Sequence, residues 1–201
     1  GDEQGEDQGP VASVALTALQ PNIKADGVSS GAVSALVRDS GGMPLAGAWV
    51  SFGSNAGVMT QTRVKTNDAG VAQASVRSST KSGAVVVTAT SQGITSSAGL
   101  FFVAGPPVLG RFFSVSPMQV RPGDNVSLQV RLMDAYDNPV GSGETVLFSV
   151  EPGAGGGSGG GFGEGSDHSY SASTDAAGCA TALFRSGPDS GQDRFVVSTQ
   201  G

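Results

Sequence analysis

The 201 residues carry 17 acidic and 11 basic side chains, which give a net charge of -6. The basic residues are scattered rather than clustered, and this argues against nucleic-acid binding and against binding to anionic membrane surfaces. The apolar runs are too short to cross a membrane, and a single cysteine cannot form an intrachain disulfide.

Small residues dominate the composition and predict an all-β chain. Glycine contributes 32 residues, charged side chains make up 14% and aromatic side chains 6%. This composition is typical of short strands joined by turns. No segment shows a sustained apolar period of 3.6 residues, so we expect no helix.

Residues 1–10 are predicted to form a flexible acidic tether. They contain no large apolar side chain and end at Pro10, so they cannot bury enough surface to offset the entropy of ordering. The chain starts with Gly rather than Met, which a removed signal peptide or a cloned fragment would both explain. We expect no direct membrane insertion, although a tether of this kind suits an anchor upstream of it.

A first domain is predicted over residues 11–104. Apolar residues recur at every second position, as in strands with one buried face. The alternating segments include Val14–Ala18, Val33–Val37, Val50–Phe52, Ala72–Val76 and Val85–Ala89. About seven short strands separated by turn residues are typical of an immunoglobulin-like β-sandwich.

A second domain is predicted over residues 105–201. The boundary segment Ala104–Pro107 contains two prolines, which make a short stiff joint and favour an extended arrangement. The cleanest alternation of the chain, Val126–Met133, follows in this second domain. Two tandem immunoglobulin-like sandwiches are therefore expected.

A seven-residue turn occurs twice and shows that one structural unit is used twice. Thr66–Ala72 recurs as Thr174–Ala180, 108 residues later, whereas Phe52 and Phe148 are 96 residues apart. Twelve extra residues therefore lie between these points in the second domain, and they coincide with the glycine-rich insertion 153–165. At the end of the second domain, nothing corresponds to Ile94–Val103, so its last strand is expected to be missing.

Both domains resemble bacterial immunoglobulin-like domains of the invasin and intimin type. The resemblance is carried by the turn and core residues of four segments, namely Asp39–Phe52, Thr66–Ala72, Asp134–Phe148 and Thr174–Ala180. It implies an exported, rod-like spacer or adhesive array without catalysis. The second domain departs from the pattern in its glycine insertion and its missing last strand.

The candidate contact residues are mostly aromatic. Val50 and Phe52 should face the core, which places Trp49 on the opposite face, where it either covers a neighbouring strand or binds a sugar or a protein. The glycine run is expected to be either a mobile loop or a strand packed against another chain, with Phe162, His168 and Tyr170 as contacts.

The sequence predicts no enzyme, no cofactor and no metal site. Cys179 replaces Val71 of the first domain and has no neighbouring base, so we interpret it as an inert, half-buried thiol that could still join two chains. Several oxygen-bearing side chains could bind calcium, but turn chemistry explains the same residues, namely Asp134, Asp137, Asn138, Asp175 and Asp189.

Two functions remain open. The first is an extracellular spacer or stalk of a bacterial surface adhesin, whose partners are neighbouring domains or a ligand on a host surface. The second is a surface filament in which one subunit completes the open edge of the next with a β-strand. The donor residues would be Val11, Val14, Leu16 and Leu19, and the acceptor edge would contain Phe195 and Val197.

Overall fold

The computed structural model describes residues 9–153, 156–163 and 167–199. The chain divides into two compact units, residues 1–103 and residues 104–201. Most of the tether predicted for residues 1–10 and the ends of the glycine insertion lie outside the described residues. Every regular element in the described ranges is a β-strand.

Unit 1 contains nine strands in its described residues. They are β1 Ser13–Ala18, β2 Asn22–Lys24, β3 Ser30–Arg38, β4 Trp49–Ser54, β5 Val58–Met59, β6 Arg63–Lys65, β7 Val71–Arg77, β8 Gly83–Ser91 and β9 Ile94–Val103. One sheet has the order β1-β3-β7-β5 and the other the order β2-β9-β8-β4-β6. All neighbouring strands are antiparallel except β2 and β9, which are parallel.

Unit 2 contains seven strands in the described residues. They are β10 Val108–Ser116, β11 Asn125–Met133, β12 Thr145–Pro152, β13 Gly161–Phe162, β14 Ser169–Ser173, β15 Cys179–Arg185 and β16 Asp193–Thr199. The two sheets have the orders β10-β11-β15-β13 and β14-β12-β16. The strand order repeats that of unit 1, and β2 and β9 are the two strands without a counterpart among those described.

Each unit has its own hydrophobic core, formed by the inward-facing positions of its strands. In β4, Val50 and Phe52 are buried while Trp49 and Ser51 are exposed, as the alternation predicts. Phe148 and Val146 fill the equivalent positions in unit 2 and are fully buried. Burying one such side chain contributes about 1.5–3 kcal/mol, so these cores stabilise the two sandwiches.

The repeated turn connects three chain segments of each unit through hydrogen bonds and close packing. In unit 1, the buried Thr66 hydroxyl donates to the carbonyl of Leu45 (2.5 Å) and accepts from the Ala48 amide (2.9 Å). Gly70 follows with a φ of 71°, and a side chain there would meet the Val37 carbonyl at 2.7 Å. Only glycine fits this left-handed, closely packed position.

The turn of unit 2 repeats these contacts. Thr174 donates to the carbonyl of Gly141 (2.7 Å) and accepts from the Glu144 amide (3.0 Å). Gly178 has a φ of 73° and approaches the Leu132 carbonyl as Gly70 approaches that of Val37. The two Ala-Gly turns therefore fix the same three chain segments in both sandwiches.

The described part of the glycine insertion is packed against its own chain. Ser158 donates through its amide and its hydroxyl to the carboxylate of Asp193, at 2.9 and 2.6 Å. The same hydroxyl accepts from the amides of Gly160 (3.2 Å) and Gly187 (3.1 Å). An added Cβ at Gly160 would overlap the backbone of this neighbouring loop. Between residues 156 and 163 the glycine run makes a close glycine-to-glycine contact within unit 2, whereas the sequence left open a mobile loop or a strand packed against another chain.

Candidate interaction surfaces

Trp49 forms a cationic aromatic cluster on the outer face of unit 1. Its side chain is 46% exposed. The guanidinium carbon of Arg63 lies 4.4 Å from the centre of the indole ring, and the ammonium nitrogen of Lys65 lies 5.1 Å from it. Both distances are within the range of a cation–π interaction. Trp49 therefore packs over the neighbouring strand β6, one of the two outcomes expected from the sequence, and still presents almost half of its surface to solvent.

A shallow cavity of about 450 Å³ adjoins this cluster. It is lined by Trp49, Ser51, Arg63, Thr90 and Gln92. The strand register explains the grouping, because Lys65 lies opposite Trp49, and Arg63 and Thr90 both lie opposite Ser51. Three rigidly paired strands thus hold the two cations, the aromatic ring and the hydroxyl groups on one face.

A larger cavity of about 900 Å³ lies in unit 2 beside β16. Its apolar lining comes from Val115, Met118, Val120, Val126, Phe184 and Phe195. Met118 and Val120 come from the segment between β10 and β11. The equivalent segment of unit 1, between β1 and β3, contains β2. Met118 is 87% exposed and Val120 is 36% exposed, whereas Ile23 in β2 is buried. The apolar surface that β2 and β9 cover in unit 1 is therefore open in unit 2, within the residues that the structure describes.

The predicted acceptor edge lies along this cavity. Phe195 and Val197 in β16 are half-buried, and β16 is paired with β12 as its one neighbour among the described strands. The predicted donor residues lie in or beside β1, which is paired with β3 over six residues. Val11 and Leu16 are buried there, Val14 is half-buried and Leu19 is exposed. Donating this segment to another subunit would require β1 to leave its own sheet.

The three predicted contacts around the glycine insertion occupy different environments. Phe162 is fully buried, with its ring centre 5.6 Å from that of Phe184 and 6.2 Å from that of Tyr170. The proposal that Phe162 contacts a partner is therefore corrected: it is a core residue. His168 is exposed and Tyr170 is 45% exposed, so both remain surface candidates.

The strand register identifies what Phe162 does. Phe162 lies opposite Phe184 in β15, as Met59 lies opposite Val76 in β7. The glycine-rich segment thus contains the counterpart of β5, and Phe162 takes the place of Met59. A sequence reading misses this because a two-residue strand inside a glycine run has no periodicity to reveal it.

Asp134 is a buried carboxylate that fixes the start of unit 2. It accepts hydrogen bonds from the amides of Gly105, Tyr136 and Asn138 and from the side-chain amide of Asn138, at 2.8–2.9 Å. Burial raises the pKa of Asp134, but these hydrogen bonds to the charged form, with Asn138 foremost, outweigh it and lower the pKa below 3.8. The carboxylate organises a turn, and turn chemistry accounts for its presence.

Several other features are structural. Asp175 accepts from the amides of Ala177 and Cys179, at 2.8 and 2.9 Å, in the same manner as Asn67 in unit 1. The Cys179 thiol is half-buried, as expected.

In the described ranges, no three His, Cys, Asp or Glu side chains come together to hold a metal ion. The same ranges contain no helix long and apolar enough to span a membrane.

Residues 13–103 match the family model described as bacterial Ig-like domain (group 1). Over these residues the first unit is similar to bacterial immunoglobulin-like domains of this group. This confirms the resemblance to bacterial immunoglobulin-like domains that the turn and core residues predict. No curated protein matches the chain.

Solved structures show that the immunoglobulin-like fold extends beyond the matched residues. InvD of Yersinia pseudotuberculosis aligns with a TM-score of 0.69 at 19% identity, covering 94% of this chain and 53% of that one. FdeC, an adhesin of Escherichia coli, aligns with a TM-score of 0.58 at 18% identity, covering 96% and 62%. The D0-D1 domain of intimin aligns with a TM-score of 0.43 at 24% identity, covering 94% and 91%. The chain thus spans little more than half the length of the InvD and FdeC structures. The predicted all-β immunoglobulin-like fold is confirmed.

Proposed function

We propose that the chain is a non-catalytic structural module of a bacterial surface adhesin, placed outside the cell as a spacer or stalk. The observation that carries the proposal is the match of residues 13–103 to the bacterial immunoglobulin-like family, joined in the same chain to a second unit with the same strand order. The adhesin FdeC, which has a similar fold, supports this assignment. The partners would be neighbouring domains or a ligand on a host surface.

The architecture is suited to such a role. In each unit most buried positions are apolar, and the turns are held by side-chain hydrogen bonds. Function would then come from surfaces placed on a rigid frame rather than from a catalytic cleft.

The location is tested on intact bacteria that produce the full-length protein. An antibody against unit 1 should label unpermeabilised cells, and external protease should remove the label without degrading a cytoplasmic marker. Purified chain added in excess should reduce attachment of the bacteria to host cells. Labelling only after permeabilisation would contradict the proposal.

A second candidate function is assembly by β-strand complementation. The open cavity beside β16, with Phe195 and Val120 in its lining, favours it, because an added strand would cover apolar side chains and pair with the backbone of β16. Head-to-tail repetition of this contact would produce a filament.

This candidate is tested with a peptide that carries the sequence of β9, Ile94–Val103. The peptide should raise the melting temperature of unit 2 and block concentration-dependent polymers seen by light scattering. A control peptide with Leu100→Ser and Phe102→Ser should do neither, because Leu100 and Phe102 are the buried side chains of β9 near that end. A chain that stays monomeric at every concentration would rule out the filament.

A further inference from the structure

The two units carry different residues at three equivalent positions of the same sheet. In unit 1, Trp49 pairs with Lys65, and Arg63 pairs with Ser51. The equivalent strands of unit 2 pair Thr145 with Ser173 and Leu147 with Ser171. The positions of Trp49, Lys65 and Arg63 are therefore occupied by threonine and two serines in a sandwich with the same strand order. The fold does not require the cationic aromatic cluster.

Within the described residues, the two cations of the cluster have no carboxylate partner. Both Arg63 and Lys65 instead lie against the indole ring of Trp49. Two neighbouring cations without counter-ions create a local positive potential on an acidic protein.

The surroundings of the cluster match a hydroxyl-rich ligand. Ser51, Thr90 and Gln92 line the same cavity of about 450 Å³. The Thr90 and Thr95 hydroxyls are hydrogen-bonded to each other at 2.8 Å, and Gln92 is fixed because its side-chain oxygen accepts from the Val11 amide at 2.9 Å. These groups offer both hydrogen-bond donors and acceptors. Ser51 and Thr90 stand on the paired strands β4 and β8, and Gln92 lies in the turn between β8 and β9.

We propose that the outer face of unit 1 at Trp49, Arg63 and Lys65 binds an acidic saccharide. The carboxylate or sulfate groups would face the two cations, the apolar face of a sugar ring would lie against the exposed part of the indole, and the sugar hydroxyls would meet Ser51, Thr90 and Gln92. Arg63 supplies a planar fork that matches a carboxylate or a sulfate, and Lys65 supplies a point charge. An acidic peptide fits less well, because it brings no array of hydroxyl groups for the polar lining.

The binding test uses the full chain with three saccharides. A heparin tetrasaccharide provides sulfates, tetragalacturonate provides carboxylates, and maltotetraose is the neutral control. We expect at least one of the two acidic saccharides to shift the indole N–H resonance of Trp49 in NMR titrations, and the neutral one to leave it unchanged. Binding should weaken as salt rises, because charged contacts are screened. No shift with either acidic saccharide, or a larger shift with an oligoglutamate peptide, would overturn the proposal.

The variants take their residues from unit 2, where the same fold already accepts them. Binding to the variants is measured by calorimetric titration, because Trp49→Thr removes the indole reporter. Trp49→Thr, Arg63→Ser and Lys65→Ser should each weaken binding, by about tenfold for Trp49→Thr if the ring contact is worth what stacking and cation–π contacts usually are. Arg77→Ser is the matched control, since Arg77 is an exposed cation on β7 in the other sheet. An equal loss with Arg77→Ser would show that only net charge matters and would refute a defined site. Amide spectra of each variant verify that unit 1 remains folded.

Discussion

At the scale of single residues, side chains that accept several backbone hydrogen bonds set the loops of both units. Asp26 accepts from the Ser29 amide (2.7 Å), the Val28 amide (3.0 Å) and the Ser29 hydroxyl (2.8 Å). These bonds to the charged carboxylate, with the Ser29 amide foremost, lower the pKa of Asp26 from 3.8 to about 2. The turn after β2 is thus held by an ionised group.

Asp26 is expected to make unit 1 sensitive to acid. Its pKa is lower in the folded than in the unfolded chain, so its stabilising effect is complete above pH 3.8 and is lost as the pH falls towards about 2. Urea unfolding across this range should show a steeper loss of stability for the wild type than for Asp26→Asn. Asp68→Asn, at an exposed carboxyl in another turn, is the control and should keep the wild-type slope. Identical slopes for wild type and Asp26→Asn would contradict the assignment.

Gly160 is a second residue whose replacement should change the stability of its unit. An added methyl group would overlap the Arg185 carbonyl and approach the Gly187 amide nitrogen to 2.6 Å, which forces the two loops apart and disturbs the Ser158 hydrogen bonds. Gly160→Ala should therefore destabilise unit 2 by more than about 1 kcal/mol, the range of overpacked sites. Gly99→Ala is the control, because an added Cβ there meets nothing within 4 Å. Equal stability of Gly160→Ala and wild type in chemical denaturation would show the contact to be loose.

At the scale of elements, alternation predicts the long strands well and the short ones poorly. In β3 and β11, every second side chain is buried, and this period is visible in the sequence. By contrast, β2 spans three residues and pairs with β9, about eighty residues away. Such short strands form because their backbone pairs with a distant segment, and this pairing leaves no pattern in the local sequence.

The candidate surfaces were also predictable only in part from the sequence. The side on which Trp49 lies follows from the alternation of β4, whereas the two cations above its ring come from β6 and depend on the register between the strands. Phe162 is a sharper case, because its flanking glycines suggested an exposed loop while its side chain completes the core. The sequence shows that the aromatic and cationic side chains are present. The strand pairing decides which of these side chains are in contact.

The Thr-centred turns are expected to contribute equally to both units. Replacing Thr66 or Thr174 by Val preserves the shape but leaves a buried amide and a carbonyl without their partner, which costs about 1–3 kcal/mol. Thr66→Val should lower the stability of unit 1 and Thr174→Val that of unit 2. Thr17→Val, at an exposed position of β1, serves as the control and should change stability little. A Thr66→Val protein as stable as this control would refute the role of the turn.

At the scale of the whole molecule, two separate cores predict two separate unfolding events. The buried clusters of the two units share no residue, so each sandwich should unfold cooperatively by itself. Phe52→Ala should lower one calorimetric transition, and Phe148→Ala, the counterpart in unit 2, should lower the other. Each loss should be about 3–5 kcal/mol, as for other buried phenylalanines. Both transitions moving together after a single substitution would contradict independence.

The parallel pair in unit 1 has a mechanical consequence. Asn22–Lys24 and Phe101–Val103 run side by side in the same direction, and β9 ends where the unit ends. Tension that reaches β2 from the N-terminal side and β9 from the C-terminal side pulls the two strands in opposite directions along their common axis. Their hydrogen bonds are then sheared together rather than broken one at a time, and the pair includes the buried residues Ile23 and Phe102. A stretching force that reaches these two strands is therefore resisted by all the hydrogen bonds of the pair at once.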